Sequence, residues 1–283
     1  MMSLIVSLIK STSKRVGFWA ALTFMMFLCM SNTVVLAFIA QNTDVSQQVA
    51  NANAFILVYG SPLQEILLMS YIFILLLPYV FTFRRDRRLQ MQQVLIVRVG
   101  KARYYIANVI ACFISTFIAM FIPLLIENFV NGLIFKNTVA YSYSYNLLAG
   151  ITGDSIMIDT VRSSYPFLDL YMKSPMQYNY MYAFFFALLC GILAVFVFSI
   201  SFYVKKYGIL LLLPLFVFVQ LQNGAEAIME NFSDVYMNIR MSDYITIGRY
   251  FGQSALYIIL LCVVLLGASI LLTWVKCKGD QLE

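Results

Sequence analysis

The chain has no histidine, and charged side chains make up only 11% of its 283 residues. The first absence removes histidine-based metal sites, serine–histidine triads and histidine-dependent intramembrane proteases. The second removes the polar shell that a soluble fold of this size needs, because ordinary globular domains carry roughly 25% charged residues. Nucleotide-binding chemistry is missing as well. The only Gly-Lys pair, Gly100–Lys101, is followed by Ala102 instead of Ser or Thr, and no glycine stands upstream of it at phosphate-loop spacing. Cysteine is sparse and has no metal-type spacing. Cys29, Cys112, Cys190 and Cys262 fall inside apolar runs and Cys277 follows the last one, which reads as apolar filler instead of a disulfide framework. No catalytic residue, cofactor or metal site is expected in this chain.

Apolar sequence fills the space left by these absences. Hydrophobic residues make up 62% of the chain, and its mean hydropathy is +0.84. Several runs exceed the ~18 nearly uncharged residues that read as membrane-crossing helices. Run length and the lack of strict alternation favour helices over barrel strands. Six spans are predicted, at 16–40, 63–83, 104–126, 181–203, 209–221 and 254–275. The fifth has an apolar core of about 13 residues, or ~20 Å of helix against a ~30 Å hydrocarbon layer. It must borrow flanking residues or stop partway and turn back. The first run, about 25 residues long, exceeds the apolar core of a cleavable signal. The expected class is an all-α polytopic membrane protein forming a single transmembrane domain over residues 1–283.

Charge gives the orientation. Arg84, Arg85, Arg87, Arg88, Arg98, Lys101 and Arg103 crowd between the second and third runs. With the N-terminus inside, fourteen of the nineteen basic residues lie in inner segments and ten of the thirteen acidic residues lie outside or at outer helix ends. Both termini are therefore expected in the cytoplasm of a cell-membrane protein. The basic run reads first as a topology signal. No nucleic-acid-binding module surrounds it, so no nucleic-acid partner is expected. Within it, Leu89, Met91, Val94, Leu95, Val97 and Val99 interleave with Gln90, Gln92, Gln93 and Arg98 up to Gly100. A helix there would offer apolar contacts and arginines to a partner, or it would cap the bundle from inside.

At the N-terminus, Met1, Leu4, Ile5, Leu8 and Ile9 recur at helical spacing before Lys10, Lys14 and Arg15, the pattern of a helix lying on the inner membrane surface or of a frayed tail. Two outer segments are long, 127–180 and 222–253, and the tyrosines of the first suit the membrane–water interface. In the second, Ala225, Ile228, Met229, Phe232, Val235, Tyr236 and Ile239 follow i, i+3, i+4 spacing, so an amphipathic or re-entrant helix is expected there. Tyr143, Tyr171, Phe232 and Tyr236 are the candidates for an outer substrate or gate region. Pro78, Pro123 and Pro214 predict bent spans. Within the predicted spans Glu65 is the sole ionisable carboxylate or base, close to an outer end, which argues against an ion-driven carrier.

The stretches "LIVRVGKARYYIANVIACFISTF" and "FLDLYMKSPMQYNYMYAFFFALLCGILAVFVFSISFYVKKYGILLLLPLF" resemble the membrane subunits of type-2 ABC exporters. The first is similar to the arginine–tyrosine entry into that family's third span. The second is similar to the fourth and fifth spans of small peptide-antibiotic or immunity permeases of Gram-positive bacteria. Asn108 stands where many members carry a lysine. The resemblance implies a permease that exports a peptide or amphiphile, works with a second permease copy or homologue in the bilayer, and is driven by ATP and magnesium on separate cytoplasmic ATPase subunits. It also implies an N-terminal elbow helix at 1–15, a coupling helix within 84–103 and outer re-entrant helices after span five. The ATPase-docking residues would be Leu89, Gln90, Gln93, Val94, Leu95 and Arg98. A non-transporting immunity or sensor protein and a secondary carrier remain the alternatives.

Overall fold

The computed structural model describes residues 2–42, 51–81, 83, 91–135, 167–204, 211–232, 240–248 and 255–279. Among these residues the protein is all α apart from one isolated parallel β-bridge, Val58 to Ile247. The helices are α1 (Met2–Ser13), α2 (Val16–Asn42), α3 (Gln64–Ile74), α4 (Met91–Val99), α5 (Lys101–Ile134), α6 (Leu168–Lys173), α7 (Pro175–Ser201), α8 (Leu212–Phe232), α9 (Met241–Tyr244) and α10 (Ala255–Gly279). A 3-10 turn, Asn51–Ala54, precedes α3.

Four of them, α2, α5, α7 and α10, are long and apolar enough to cross a membrane. At 1.5 Å per residue the 34-residue α5 runs about 51 Å, well beyond a ~30 Å hydrocarbon layer. It continues to Ile134, past the predicted end at 126. Helices α5 and α7 form the centre of the bundle: α2 packs on α5, α10 packs on α7, and α1 lies against α5. The bundle has an apolar outer surface around an apolar core that also encloses polar groups. Phe24, Phe27, Phe38, Phe129, Leu133, Ile259, Val263 and Ile270 are exposed, whereas Asn32, Asn108, Glu127, Asn131 and Asn179 are buried. That pattern suits lipid outside and hydrogen-bonded polar groups within.

The two remaining predicted spans are less regular. Between Gln64 and Phe83 the α-helix stops at Ile74, and residues 75–79 form turns. Proline explains the break. Pro78 has no N–H to give to the carbonyl of Ile74, and its ring would crowd that carbonyl in a regular helix. The Ile74 carbonyl instead accepts from Leu77 N–H (3.1 Å), and Phe81 N–H reaches back five residues to Leu76 (3.4 Å). The fifth apolar run borrows on its C-terminal side: α8 continues without interruption through Gln222 to Phe232. The first part of the predicted amphipathic segment is thus the end of this helix, and the positions from 233 to 239, with Val235, Tyr236 and Ile239, lie outside the described residues.

A buried non-helical segment occurs where none was expected, between α2 and α3. Ala54, Phe55, Ile56 and Leu57 are fully buried. Tyr59 N–H donates to the Ile247 carbonyl (2.9 Å) and Ile247 N–H to the Leu57 carbonyl (2.8 Å), tying this segment to the buried stretch after α9. Gly60, with φ +85°, makes the turn that returns the chain to α3.

Candidate functional site

Two groups of side chains gather near the two ends of α5. At its Lys101 end the basic run leads into α4. Gly100 (φ 87°, ψ 147°) makes the sharp turn between α4 and α5, a conformation that glycine adopts without steric cost. Gly100 N–H donates to Ile96 O (2.9 Å), closing α4. Leu95 and Ile96 are half-buried and pack on the bundle core, while Val97 is 75% exposed with Arg98 exposed beside it. Leu95 therefore belongs in part to the bundle's own cap, and the face open to a partner carries Val97 and Arg98. Gln93 and Val94 lie on α4; Leu89 and Gln90 lie outside the described residues.

Behind this helix is an aromatic clamp. The Phe198 ring meets Phe83 and Phe202 at 4.8 Å each and Tyr79 at 5.4 Å, mostly edge to face, and Tyr105 meets Phe202 at 5.0 Å. The Tyr79 hydroxyl donates to Asn108 Oδ1 (2.6 Å), whose amide nitrogen donates to the Tyr104 carbonyl (2.7 Å). Asn108 thus has a structural task at the foot of α5. Phe83 and, on the first turns of α5, Tyr105 both belong to this cluster.

The far end of α5 holds a buried polar cluster that the sequence reading missed. Leu124, Glu127, Asn128 and Asn131 share one buried face at i, i+3, i+4 and i+7. Facing them, Asn32 on α2 uses its whole amide. Its Nδ2 donates to the Ala54 carbonyl (3.1 Å) and to Glu127 Oε1 (3.2 Å), and its Oδ1 accepts from Ser61 Oγ (2.8 Å) and Leu63 N–H (3.4 Å). Ile56 N–H adds a second donor to Glu127 Oε1 (3.0 Å). Asn131 Nδ2 donates to Ala54 O (3.0 Å), while its Oδ1 accepts from Thr33 Oγ1 (2.7 Å). Gln64 links the same segment to Thr246 through Nε2 (3.0 Å) and accepts Gly60 N–H (3.1 Å). Glu127 falls one residue past the predicted third span, and the helix continues through it to Ile134. Glu127 sits seven residues from the end of α5 and is fully buried, with exposed Ile126 and Phe129 flanking it, whereas Glu65 is exposed.

Of the aromatic candidates, Tyr171 is buried in α6, its ring edge-on to Tyr178 at 5.2 Å, and is packed instead of open to a channel. Phe232 is the last residue of α8. Tyr143 and Tyr236 lie outside the described residues. The structure brings none of these four together among the described residues. The sequence did hold a signal for the missed cluster: "SNT" interrupts the first apolar run at 31–33, and "ENFVN" places Glu127, Asn128 and Asn131 on one helical face. Among the described residues no group of three or more His, Cys, Asp or Glu could hold a metal ion. No family model, curated protein or solved structure matches this chain.

Proposed function

We propose that this multi-pass membrane protein is the permease subunit of an exporter driven by separate ATPase subunits, with residues 64–83 and α8 completing six spans. The supporting observation is α4: a short helix at the end of two apolar segments, anchored on the bundle by Leu95 and Ile96 and offering Val97 and Arg98 outward. An exposed valine beside an arginine fits a partner cleft with an acidic rim. The anchoring by Gly100 and the aromatic clamp would pass a push on α4 into α5 and α7. The exported substrate is proposed to be a peptide or amphiphile, in line with the resemblance and the apolar character of the bundle. Buried Glu127 favours a second reading, an ion-coupled carrier, because intramembrane carboxyls mark ion pathways.

Co-purification with a cytoplasmic ATPase separates the two. Burying Val97 in a partner would be worth roughly 1.5–2 kcal/mol, so Val97→Asp should weaken assembly more than tenfold while leaving expression intact. Arg98→Glu should also weaken it, by placing the wrong charge at an acidic rim. Normal ATPase recovery with both variants, or no ATPase partner at all, would overturn the permease reading.

A further inference from the structure

We propose that Glu127 is a proton-binding site at the far end of the bundle, and that loss of its proton releases the segment 54–63 from α2 and α5. The geometry of the two carboxyl oxygens carries the inference. Oε1 accepts from Asn32 Nδ2 and Ile56 N–H, whereas Oε2 is buried and has no hydrogen-bond partner among the described residues. A protonated carboxyl fits this asymmetry, with Oε1 as the carbonyl acceptor and the proton on Oε2. An ionised group would suit the two donors at Oε1 equally well, so the bare Oε2 decides between the states. Beside the two donors at Oε1, the donor facing the carboxyl is the Cys29 thiol, whose S–H donates weakly, so a charge on Oε2 is poorly spread.

Ionisation would be relieved by bringing water to the carboxyl, and the 54–63 segment lies against it through Ile56 N–H. Asn32, the residue that donates to Glu127, also binds the Ala54 carbonyl and Ser61, so disturbing one contact disturbs the hold on the whole segment. The titratable group facing Glu127 from α2 is the Cys29 thiol. Asn32 and the Ile56 backbone are neutral, and no lysine or arginine among the described residues bears on the carboxyl. The step is a simple balance: Oε2–H gives a proton to water, and the carboxylate formed is hydrated from the opened end. This inference is independent of any ATPase and stands or falls without it.

The test uses the full chain in lipid nanodiscs. Leu57→Cys places a thiol at a fully buried position of the segment, and Tyr59→Cys, at an exposed one, corrects for the thiol's own titration. Labelling is followed by mass spectrometry at each position. Corrected labelling of Leu57→Cys should rise about tenfold or more from acidic to alkaline pH and stay low throughout when Glu127→Gln is added. A flat profile, or the same rise with Glu127→Gln, overturns the proposal. A second measurement does not need that variant to fold. In the infrared spectrum of the unsubstituted protein, a protonated-carboxyl band should persist at neutral pH, lose intensity as pH rises, and survive Asp243→Asn, which removes another buried carboxyl. Absence of that band, or its loss with Asp243→Asn, overturns the assignment.

Discussion

At the Lys101 end of α5, Tyr79, Phe83, Phe198 and Phe202 close the bundle with ring centroids 4.8–6.5 Å apart. At the Ile134 end, Asn32, Thr33, Glu127 and Asn131 close it with hydrogen bonds of 2.7–3.2 Å. Both ends hold one apolar or polar layer from three separate chain segments, yet they do so with different physics. Inside lipid there is little hydrophobic gain in bringing one apolar surface to another, so the ring cluster depends on shape and dispersion. It tolerates no gap but is indifferent to pH and to water. The polar layer fixes a single register, since each amide has its partners in one arrangement only, and it holds the one buried carboxyl of α5. Rigidity belongs to the end that carries the basic segment, and responsiveness to the end that carries Glu127.

The strongest way to break this contrast is to remove a ring. Phe198 touches three other aromatic rings of the clamp, and Phe198→Ala should cost about 3–4 kcal/mol of stability, since a buried phenylalanine truncated to alanine leaves a cavity that helices cannot fully collapse. The loss should be equal at acidic and alkaline pH in detergent unfolding curves. A smaller change is expected at the other end. Asn32→Leu deletes four hydrogen bonds at once, and at ~0.6 kcal/mol for an average interhelical bond in a membrane the sum is roughly 2–3 kcal/mol. This variant should also expose the 54–63 segment to proteolysis, which Phe198→Ala should not. Equal proteolysis in both variants would mean that the two ends are not separate units.

The long apolar helices were legible from run length alone, because a stretch of ~18 or more apolar residues has few alternatives to a helix in a membrane. Irregular elements were not. Pro78 was read as a bend, but the sequence does not reveal that residues 75–79 leave the α-helix altogether, since that depends on which carbonyls find other donors. The buried segment 54–57 was illegible for a different reason. Its four residues, "AFIL", look like any short apolar run, and their burial depends on Asn32 and Asn131, which lie on two helices far away in sequence. At the candidate docking helix, the alternation of apolar and polar residues marked the helix but could not rank its faces. The rank came from packing, which turned Leu95 inward and left Val97 open. Glu127 was lost by drawing the third span to end at 126, one residue before the buried face resumes its polar half.

The smallest effect sharpens the comparison most, because it tests whether a polar bond matters at the aromatic end. Tyr79→Phe keeps the ring against Phe198 and removes only the hydroxyl that donates to Asn108 Oδ1. Asn108 keeps its bond to the Tyr104 carbonyl, so one side of its amide remains satisfied while the oxygen is left bare. The loss should fall between ~0.6 and ~1.7 kcal/mol, the range for single interhelical hydrogen bonds in membranes. Asn108→Leu beside it removes both partners of the bond from the polar balance, and the double variant Tyr79→Phe with Asn108→Leu should lose less than the two single losses together, because an unpaired buried group costs more than a pair that is absent. Additive losses would mean that the two groups do not share a bond. A double variant as unstable as Phe198→Ala would mean that the clamp depends on this hydrogen bond as much as on its rings, and the contrast between the two ends would fail.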